Sequence, residues 1–400
     1  MIENLRCFAI ATSLILVMSA CGSDDPAPTS ADTSSGANSD TSVAPPVAES
    51  NACSEDEPCA EGALCVDTVC VPTIATAPDA TITEPPENKP TDQAPDLSCL
   101  GGVYEAGEGP ATANLYGVVS RFGGGLKTFD IEVDVFIASE WDPSACEDEP
   151  ESAWEDCYRS YGASIGTGLS FPVGDVEVPE LCDSHSDCPL GYECMNEDLD
   201  DLCDEQFGLY VIEDLPTNTE LVLRARATKF ESKWHDTYVF GVVLHADQVD
   251  EDGRVHYDAT MVSQAQWLLT PNTVGLDDIP DTRGVIGGRV RDCRVLGERA
   301  GWPIAEVSLA LKYPAKDLVY FNNLEDDTVP LDNRDTTNII GRFAALDVAP
   351  GWNVLAGVAQ LEGETAPVGS TNVYVVPNAL SIVSFPGRLP HWKQGWPDEL

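Results

Sequence analysis

Asp130-Ile131-Glu132-Val133-Asp134-Val135-Phe136 alternates acidic and apolar side chains with a period of two, the pattern of a strand that buries one face. Short β-branched-rich runs recur outward from it, at 209–212, 220–225, 238–244, 285–290, 306–311, 354–358 and 372–376. Clusters of Gly, Pro, Asn and Asp separate these runs, which is the punctuation of a sandwich or barrel. Helical pattern is scarce, with one or two turns expected over 151–159. An internal repeat orders the region. Gly208-Leu209-Tyr210, then Asp214-Leu215 and a turn at Asn218, aligns with Gly341-Arg342-Phe343, then Asp347-Val348 and a turn at Gly351. Upstream, Tyr116-Gly117-Val118-Val119 followed by 131–135 parallels 286–290 followed by 304–309. Each unit reads as a hairpin with a turn glycine and an inward aromatic. The fold class expected is all-β, with two tandem β-sandwiches at 97–278 and 279–388. A Cys-bearing insertion near 143–206 enlarges the first, and 389–400 is a C-terminal tail.

The chain has 400 residues, long enough for two domains, with 68 Asp and Glu against 21 Lys and Arg and a net charge of −47. So anionic a surface repels phosphate backbones, which argues against nucleic acid as a partner. It equally disfavours docking on anionic lipid, so membrane attachment has to be covalent or hydrophobic. No run of about 20 apolar residues is present to span a bilayer.

Residues 1–20 read as a signal peptide, with Arg6 ahead of an apolar run over 8–18. Val17-Met18-Ser19-Ala20-Cys21 resembles the lipobox of bacterial lipoproteins, departing from it at Met18 where Leu is usual. The resemblance implies cleavage before Cys21 and lipid on that residue. Gly22, in place of Asp, implies delivery to the outer membrane and exposure at the cell surface. Residues 21–51 are Ser, Thr, Asp, Ala and Pro, too polar to offset their backbone entropy, and are expected to form a disordered tether. Residues 72–96, with Pro72, Pro78, Pro85, Pro86, Pro90 and Pro95, read as a second spacer stiffened toward polyproline II.

Removing Cys7 with the signal and Cys21 with the lipid leaves 12 of the 14 cysteines, an even number in an exported chain. Two clusters share a spacing. Cys53, Cys59, Cys65 and Cys70 form a small module over 52–71, and Cys182, Cys188, Cys194 and Cys203 lie in the insertion. Gaps of five or more residues are wider than the two to four typical of zinc pairs, so disulfides are the reading.

Pro303-Ile304-Ala305, Val307, Gly341, Phe343 and Asp347-Val348-Ala349-Pro350-Gly351 resemble the carboxypeptidase regulatory-like (transthyretin-like) domain, a seven-stranded β-sandwich. Ser98-Cys99-Leu100-Gly101, Ala145-Cys146, Asp156-Cys157 and Arg291-Asp292-Cys293 extend the resemblance to myxobacterial-type lipoproteins over most of 97–388. It implies transthyretin-like or Ig-like sandwiches acting as a non-catalytic accessory or adhesive module. Within that arrangement Cys146 is left to pair with Cys157, and Cys99 with Cys293, the latter tying two domains together.

Candidate chemistry is sparse. Gly162-Ala163-Ser164-Ile165-Gly166 matches the G-x-S-x-G elbow of α/β-hydrolases, with His235, His245 and His256 as nominal bases. The alternative function is therefore an extracellular serine hydrolase using Ser164. That elbow needs a strand before it and a helix after it, and the flanking sequence supplies neither. Gly123-Gly124-Gly125-Leu126-Lys127-Thr128 lacks the Gly before Lys of a phosphate loop. Gln248, Asp250, Asp252 and Gly253 resemble the opening of a calcium loop without its first Asp or twelfth-position Glu. With Asp326, Asp327, Asp332, Asp335, Asp198, Asp200 and Asp201, they leave weak calcium association, or a calcium-stabilised adhesin, as a further alternative. No cofactor motif is present. The expected function is a surface-anchored, non-catalytic binding or structural module whose partner is an envelope protein or polysaccharide.

Overall fold

The computed structural model describes residues 51–385 apart from 55–56, 75, 85–88, 92, 101–105, 123–127, 129, 172–191, 198–199, 206–207, 230–232, 294, 297–298, 323–329 and 332–333. The expected signal peptide at 1–20, Cys21, the expected tether at 21–51 as far as residue 50, Cys182, Cys188, the glycine run at 123–125 and the expected C-terminal tail at 389–400 lie outside the described residues. So do Asp198, Asp326, Asp327 and Asp332.

The Cys-rich module is a hairpin of β1 (Ala63–Val66) and β2 (Val69–Pro72). The first sandwich contains β3 (Thr112–Arg121), β4 (Ile131–Ile137), β5 (Gly166–Leu169), β6 (Leu209–Pro216), β7 (Glu220–Ala227), β8 (Thr237–Val243) and β9 (Ala259–Ser263). The second contains β10 (Gly284–Val290), β11 (Val307–Leu311), β12 (Asp317–Phe321), β13 (Arg342–Val348), β14 (Gly351–Leu361), β15 (Glu364–Val375) and β16 (Leu380–Phe385). Helix α1 (Trp154–Ser160) lies in the insertion, and α2 (Gln264–Thr273) joins the two halves.

In the first sandwich β6-β3-β9 faces β8-β7-β4-β5; in the second β12-β13-β10-β16 faces β11-β14-β15. Each pair encloses apolar side chains: Leu115, Val133, Tyr210 and Leu223 in the first, Ile286, Leu309, Phe343 and Val373 in the second. The fold is all-β, with the few helices confined to connections.

The repeat is geometrically real. Gly208, Asp214 and Asn218 have φ of 84°, 58° and 51°, and Gly341, Asp347 and Gly351 have 66°, 55° and 114°. These left-handed positions are why the motif holds Gly, Asp and Asn at fixed intervals. The inward aromatics Tyr210 and Phe343 are fully buried, opposite Gly117 and Gly288 on the neighbouring strands.

Two arrangements differ from what sequence pattern implies. First, the sandwiches are not separate beads. Strand β16 pairs in parallel with β10 on one side and with β8 on the other, Thr237 opposite Leu380 and Val239 opposite Ile382. The result is a nine-stranded sheet running through both halves. Packing also crosses the expected 278/279 boundary: Trp267 of helix α2, with Val262 before it and Ile279 after it, lies against Val285, Val319 and Leu346 of the second sandwich.

Second, 72–96 is not a free polyproline spacer. Ile82 is fully buried and Ala80 nearly so, packed with Ile304 and Ala359. The Ala80 N–H donates to Gln360 O at 2.8 Å, and the Ala305 N–H to Thr81 O at 2.9 Å. Prolines flank this stretch without entering it, so its N–H groups remain available to an edge. The module ahead of it is docked as well, with Val66, Val69 and Val71 against Ala310, Val354, Ala356 and Val358. Asn51 closes the contact through its N–H to Lys312 O at 2.8 Å and its Nδ2 to Leu311 O at 3.1 Å.

Candidate functional site

The polar face of the opening strand is not a solvated one. Asp134 is 3% exposed and lies opposite Arg224 of β7, 5% exposed, while Glu132 lies opposite Arg226. Arg224 Nη2 donates to Asp134 Oδ2 at 2.8 Å. Its Nη1 donates to Arg159 O at 2.6 Å and Tyr158 O at 3.3 Å, satisfying carbonyls of the last turn of α1. Arg159 returns the contact to the sheet, its Nε donating to Asp236 Oδ2 at 3.0 Å and its Nη2 to Oδ1 at 3.2 Å. The insertion is therefore clamped to the outer face of β4, β7 and β8 by charge-assisted hydrogen bonds.

Trp141, 2% exposed, fills the gap between insertion and both sandwiches. Its ring centroid lies 5.6–6.3 Å from those of Phe136, Tyr238, Phe240 and Tyr374, the last contributed by β15. Tyr374 donates to Glu147 Oε1 at 2.6 Å, and its hydroxyl lies 3.1 Å from that of Tyr158. Burial pushes the Tyr158 hydroxyl up to about 12, and burial with the Glu147 carboxylate holds that of Tyr374 well above the usual phenol range. Both stay protonated at ordinary pH, so this cluster is a joint and has no proton-transfer poise.

The cysteines bond as Cys53–Cys65, Cys59–Cys70, Cys99–Cys293 and Cys146–Cys157. The Cys53, Cys59 and Cys70 sulfurs lie within 4.8 Å of one another because two bonds stack, and none of the three is left as a thiolate for zinc. Cys194 and Cys203 face one another in register across a ladder of Tyr192–Glu197 and Asp200–Glu205.

Ser164 is not a nucleophile elbow. Helix α1 precedes it and strand β5 follows it, the reverse of the order the elbow requires. Ser164 Oγ lies 3.1 Å from Thr167 Oγ1, whose own proton goes to Asp134 Oδ1 at 2.7 Å. Its partner is thus a hydroxyl whose proton is already committed to a carboxylate held by Arg224. The histidines are engaged elsewhere. His235 Nε2 lies 2.6 Å from Gln264 Oε1 and its Nδ1 3.2 Å from Asn378 O, and His256 pairs with Asp258 at 2.9 Å. His245 is buried.

The acidic turn is likewise occupied. Asp250 Oδ1 accepts the N–H groups of Asp252 at 3.0 Å and Arg254 at 2.7 Å, and Arg254 Nε reaches Asp250 Oδ2 at 3.1 Å. An Asx-turn with an arginine on its carboxylates accounts for this acidic pattern. Gln248 N–H caps back to His245 O at 3.0 Å, and Asp335 lies in the connection ahead of β13.

Sequence reasoning missed α2, although Ser263 and Gln266 form a capping box legible as S-x-x-Q. It also missed Arg342, a charge inside the apolar run 341–346. Among the described residues no helix is long and apolar enough to cross a membrane.

No family model matches the chain, and no curated protein matches it. Among solved structures, a variant of the shaft pilin SpaA from Lactobacillus rhamnosus GG is 13% identical over 69% of this chain and 97% of its own, with a TM-score of 0.19. A streptococcal ancillary pilin is 13% identical over 69% and 63%, at 0.16. The minor pilin of Streptococcus agalactiae is 10% identical over 69% and 95%, at 0.17. At such scores these likenesses carry nothing about ligand or assembly, and the all-β sandwich description rests on the sheets themselves.

Proposed function

We propose that the chain is an exported, non-catalytic module, tethered by lipid at Cys21, that presents a fused pair of β-sandwiches for binding or as part of the cell envelope. The observation that carries this reading is the fusion itself: one sheet runs through both halves, with Trp141 and two clamped arginines packed at the joint. Such a body holds its surface at a fixed geometry. Among the described residues, Ser164 and the histidines, engaged as they are, leave no nucleophile and base in contact.

Disulfides suit an oxidising, extracytoplasmic compartment. Val17-Met18-Ser19-Ala20-Cys21 supports lipid anchoring and Gly22 an outer-membrane address. The resemblance of 341–351 to carboxypeptidase regulatory-like domains favours an accessory role. The partner is an envelope protein or polysaccharide engaged through loop surfaces, since a net charge of −47 repels nucleic acid. Because 52–83 docks on the second sandwich, reach from the membrane comes from 21–51 alone, roughly 30 Å for a flexible coil.

Cys21→Ser in the producing cell is expected to move the protein from the membrane fraction to the periplasm or medium, at least about tenfold, because stable attachment depends on the acyl chains. Intact mass of the wild type should exceed the processed polypeptide by those chains. Equal partitioning of both forms, with an unmodified mass, would overturn the anchoring.

A further inference from the structure

Strand β5 is the last strand of the nine-stranded sheet, and among the described residues no ladder pairs its outer edge. Its inner face lies close on β6: a Cβ on Gly166 would meet Ile212 and Leu215, one on Gly168 would meet Val211 O, and Ser170 is buried. Alternation then puts Ile165, Thr167, Leu169 and Phe171 on the outside. Ile165, Leu169 and Phe171 are 40%, 49% and 43% exposed, half of the six large apolar side chains that stand exposed among the described residues.

The main chain of this edge is open over a short length. Ladder bonds alternate along an antiparallel pair. Ser170 N–H donates to Ile131 O at 2.7 Å, so Gly168, opposite Val133, also turns its groups toward β4. Thr167 and Leu169 turn their N–H and C=O groups outward. Beyond them Phe171 N–H donates to Leu209 O at 3.0 Å, which ends the open stretch. Edge strands are usually blunted by charge, proline or a bulge. Residues 160–171 hold neither a charged side chain nor a proline.

The surroundings are charge-balanced as well. Leu169 lies opposite Glu132, which pairs with Arg226, and Thr167 lies opposite Asp134, which pairs with Arg224. Asp130 pairs with Lys229 at 2.9 Å. On a chain of net charge −47, this is a surface that a second copy can approach without setting like charge against like. The edge is also complementary to itself. Turned antiparallel about Gly168, the outward groups of Thr167 meet those of Leu169 in the second copy, and Ile165 meets Phe171 beside them.

We infer that two copies of the chain associate edge to edge through β5, related by a two-fold axis at Gly168. The association goes beyond the surface-module reading and holds whether or not Cys21 carries lipid. A contact of this extent belongs with weak associations, those burying less than about 1,200 Å². Repulsion between two acidic bodies opposes it, so salt strengthens it by screening.

The test is sedimentation velocity of the soluble Cys21→Ser chain over a concentration series, which removes association driven by lipid. A monomer–dimer equilibrium is expected, at least about fivefold tighter in about 0.5 M than in about 0.02 M NaCl. In hydrogen exchange on the same protein, the amides of 165–171 should gain protection as the dimer fills, and those of the exposed Leu268 and Leu269 on α2 should not. Leu169→Lys, which sets two lysines near the axis, should weaken association at least about tenfold and leave the melting temperature unchanged. A monomer at every concentration would overturn the inference, as would a dimer that loosens with salt or gains protection elsewhere. So would undiminished dimerisation of a folded Leu169→Lys protein.

Discussion

C99A/C293A is expected to lower the melting temperature by roughly 5–8 °C, the larger loss among the described disulfides. The bond spans 194 residues, by far the longest of these loops. In the loop-entropy description a closure of that length restricts the unfolded chain by about 5 kcal/mol, against about 3 kcal/mol for a loop near 11 residues. For a chain of this size, about 5 kcal/mol corresponds to several degrees. The Cys293 N–H donates to Asp96 O at 2.8 Å, and Asp96 N–H to Asp292 Oδ2 at 3.3 Å. C146A/C157A, with its separation of 11, should lose less. Thermal melts of both variants check this; an equal or reversed order would show that loop closure is not what this bond contributes.

Gly288→Ala should be among the most damaging single substitutions in the chain. A Cβ there would sit 1.9 Å from Val383 O, and the equivalent atom at Gly117 would sit 1.9 Å from Tyr257 O. The obstacle in both cases is main chain, which cannot rotate aside as a side chain can. Val383 belongs to β16, the strand that joins the two sandwiches, so pushing it away disturbs both halves of the shared sheet at once. Overpacking of a well-filled core costs typically 1–3 kcal/mol, and a backbone collision belongs at or above the upper end, about 3 kcal/mol or more. Gly253→Asn is the control. Gly253 has a φ of 76°, which Asn tolerates, and a Cβ there meets nothing within 4 Å. It should change the unfolding free energy, read from denaturant melts, by about 0.5 kcal/mol or less. Comparable losses at both sites would mean that close strand approach is not what demands Gly288.

The strands and the repeat were legible because their signals are local. Alternation in 130–136 follows from the pleat, and Gly208, Asp214, Gly341 and Asp347 stand where the backbone turns left-handed. The pairing of β8 with β16 was not legible, because two strands buried on both sides leave no mark of which neighbour each takes. In 72–96 the density of prolines masked Ala80 and Ile82, whose burial depends on an edge supplied by residues 303–305 and 360. The acidic residues of 130–136 suggested solvent, yet Arg224 and Arg226 recur at the same spacing on β7 and meet them in register. The capping box of α2 was readable from Ser263 and Gln266, but the face it packs on depends on the tertiary placement of Val285, Val319 and Leu346. Ser164 shows the reverse failure, a motif present without the strand-to-helix frame that gives it meaning.

The claim on which the rest depends is that both sandwiches and the docked Cys-rich module fold as one body. Differential scanning calorimetry of the disulfide-intact protein tests it most directly, because independent domains melt independently. The fused sheet, the Trp141 joint and the buried Val66–Val71 contact call for a single transition whose calorimetric and van't Hoff enthalpies agree. Two resolved transitions, or a calorimetric enthalpy about twice the van't Hoff value, would contradict it and restore the picture of two beads on a linker.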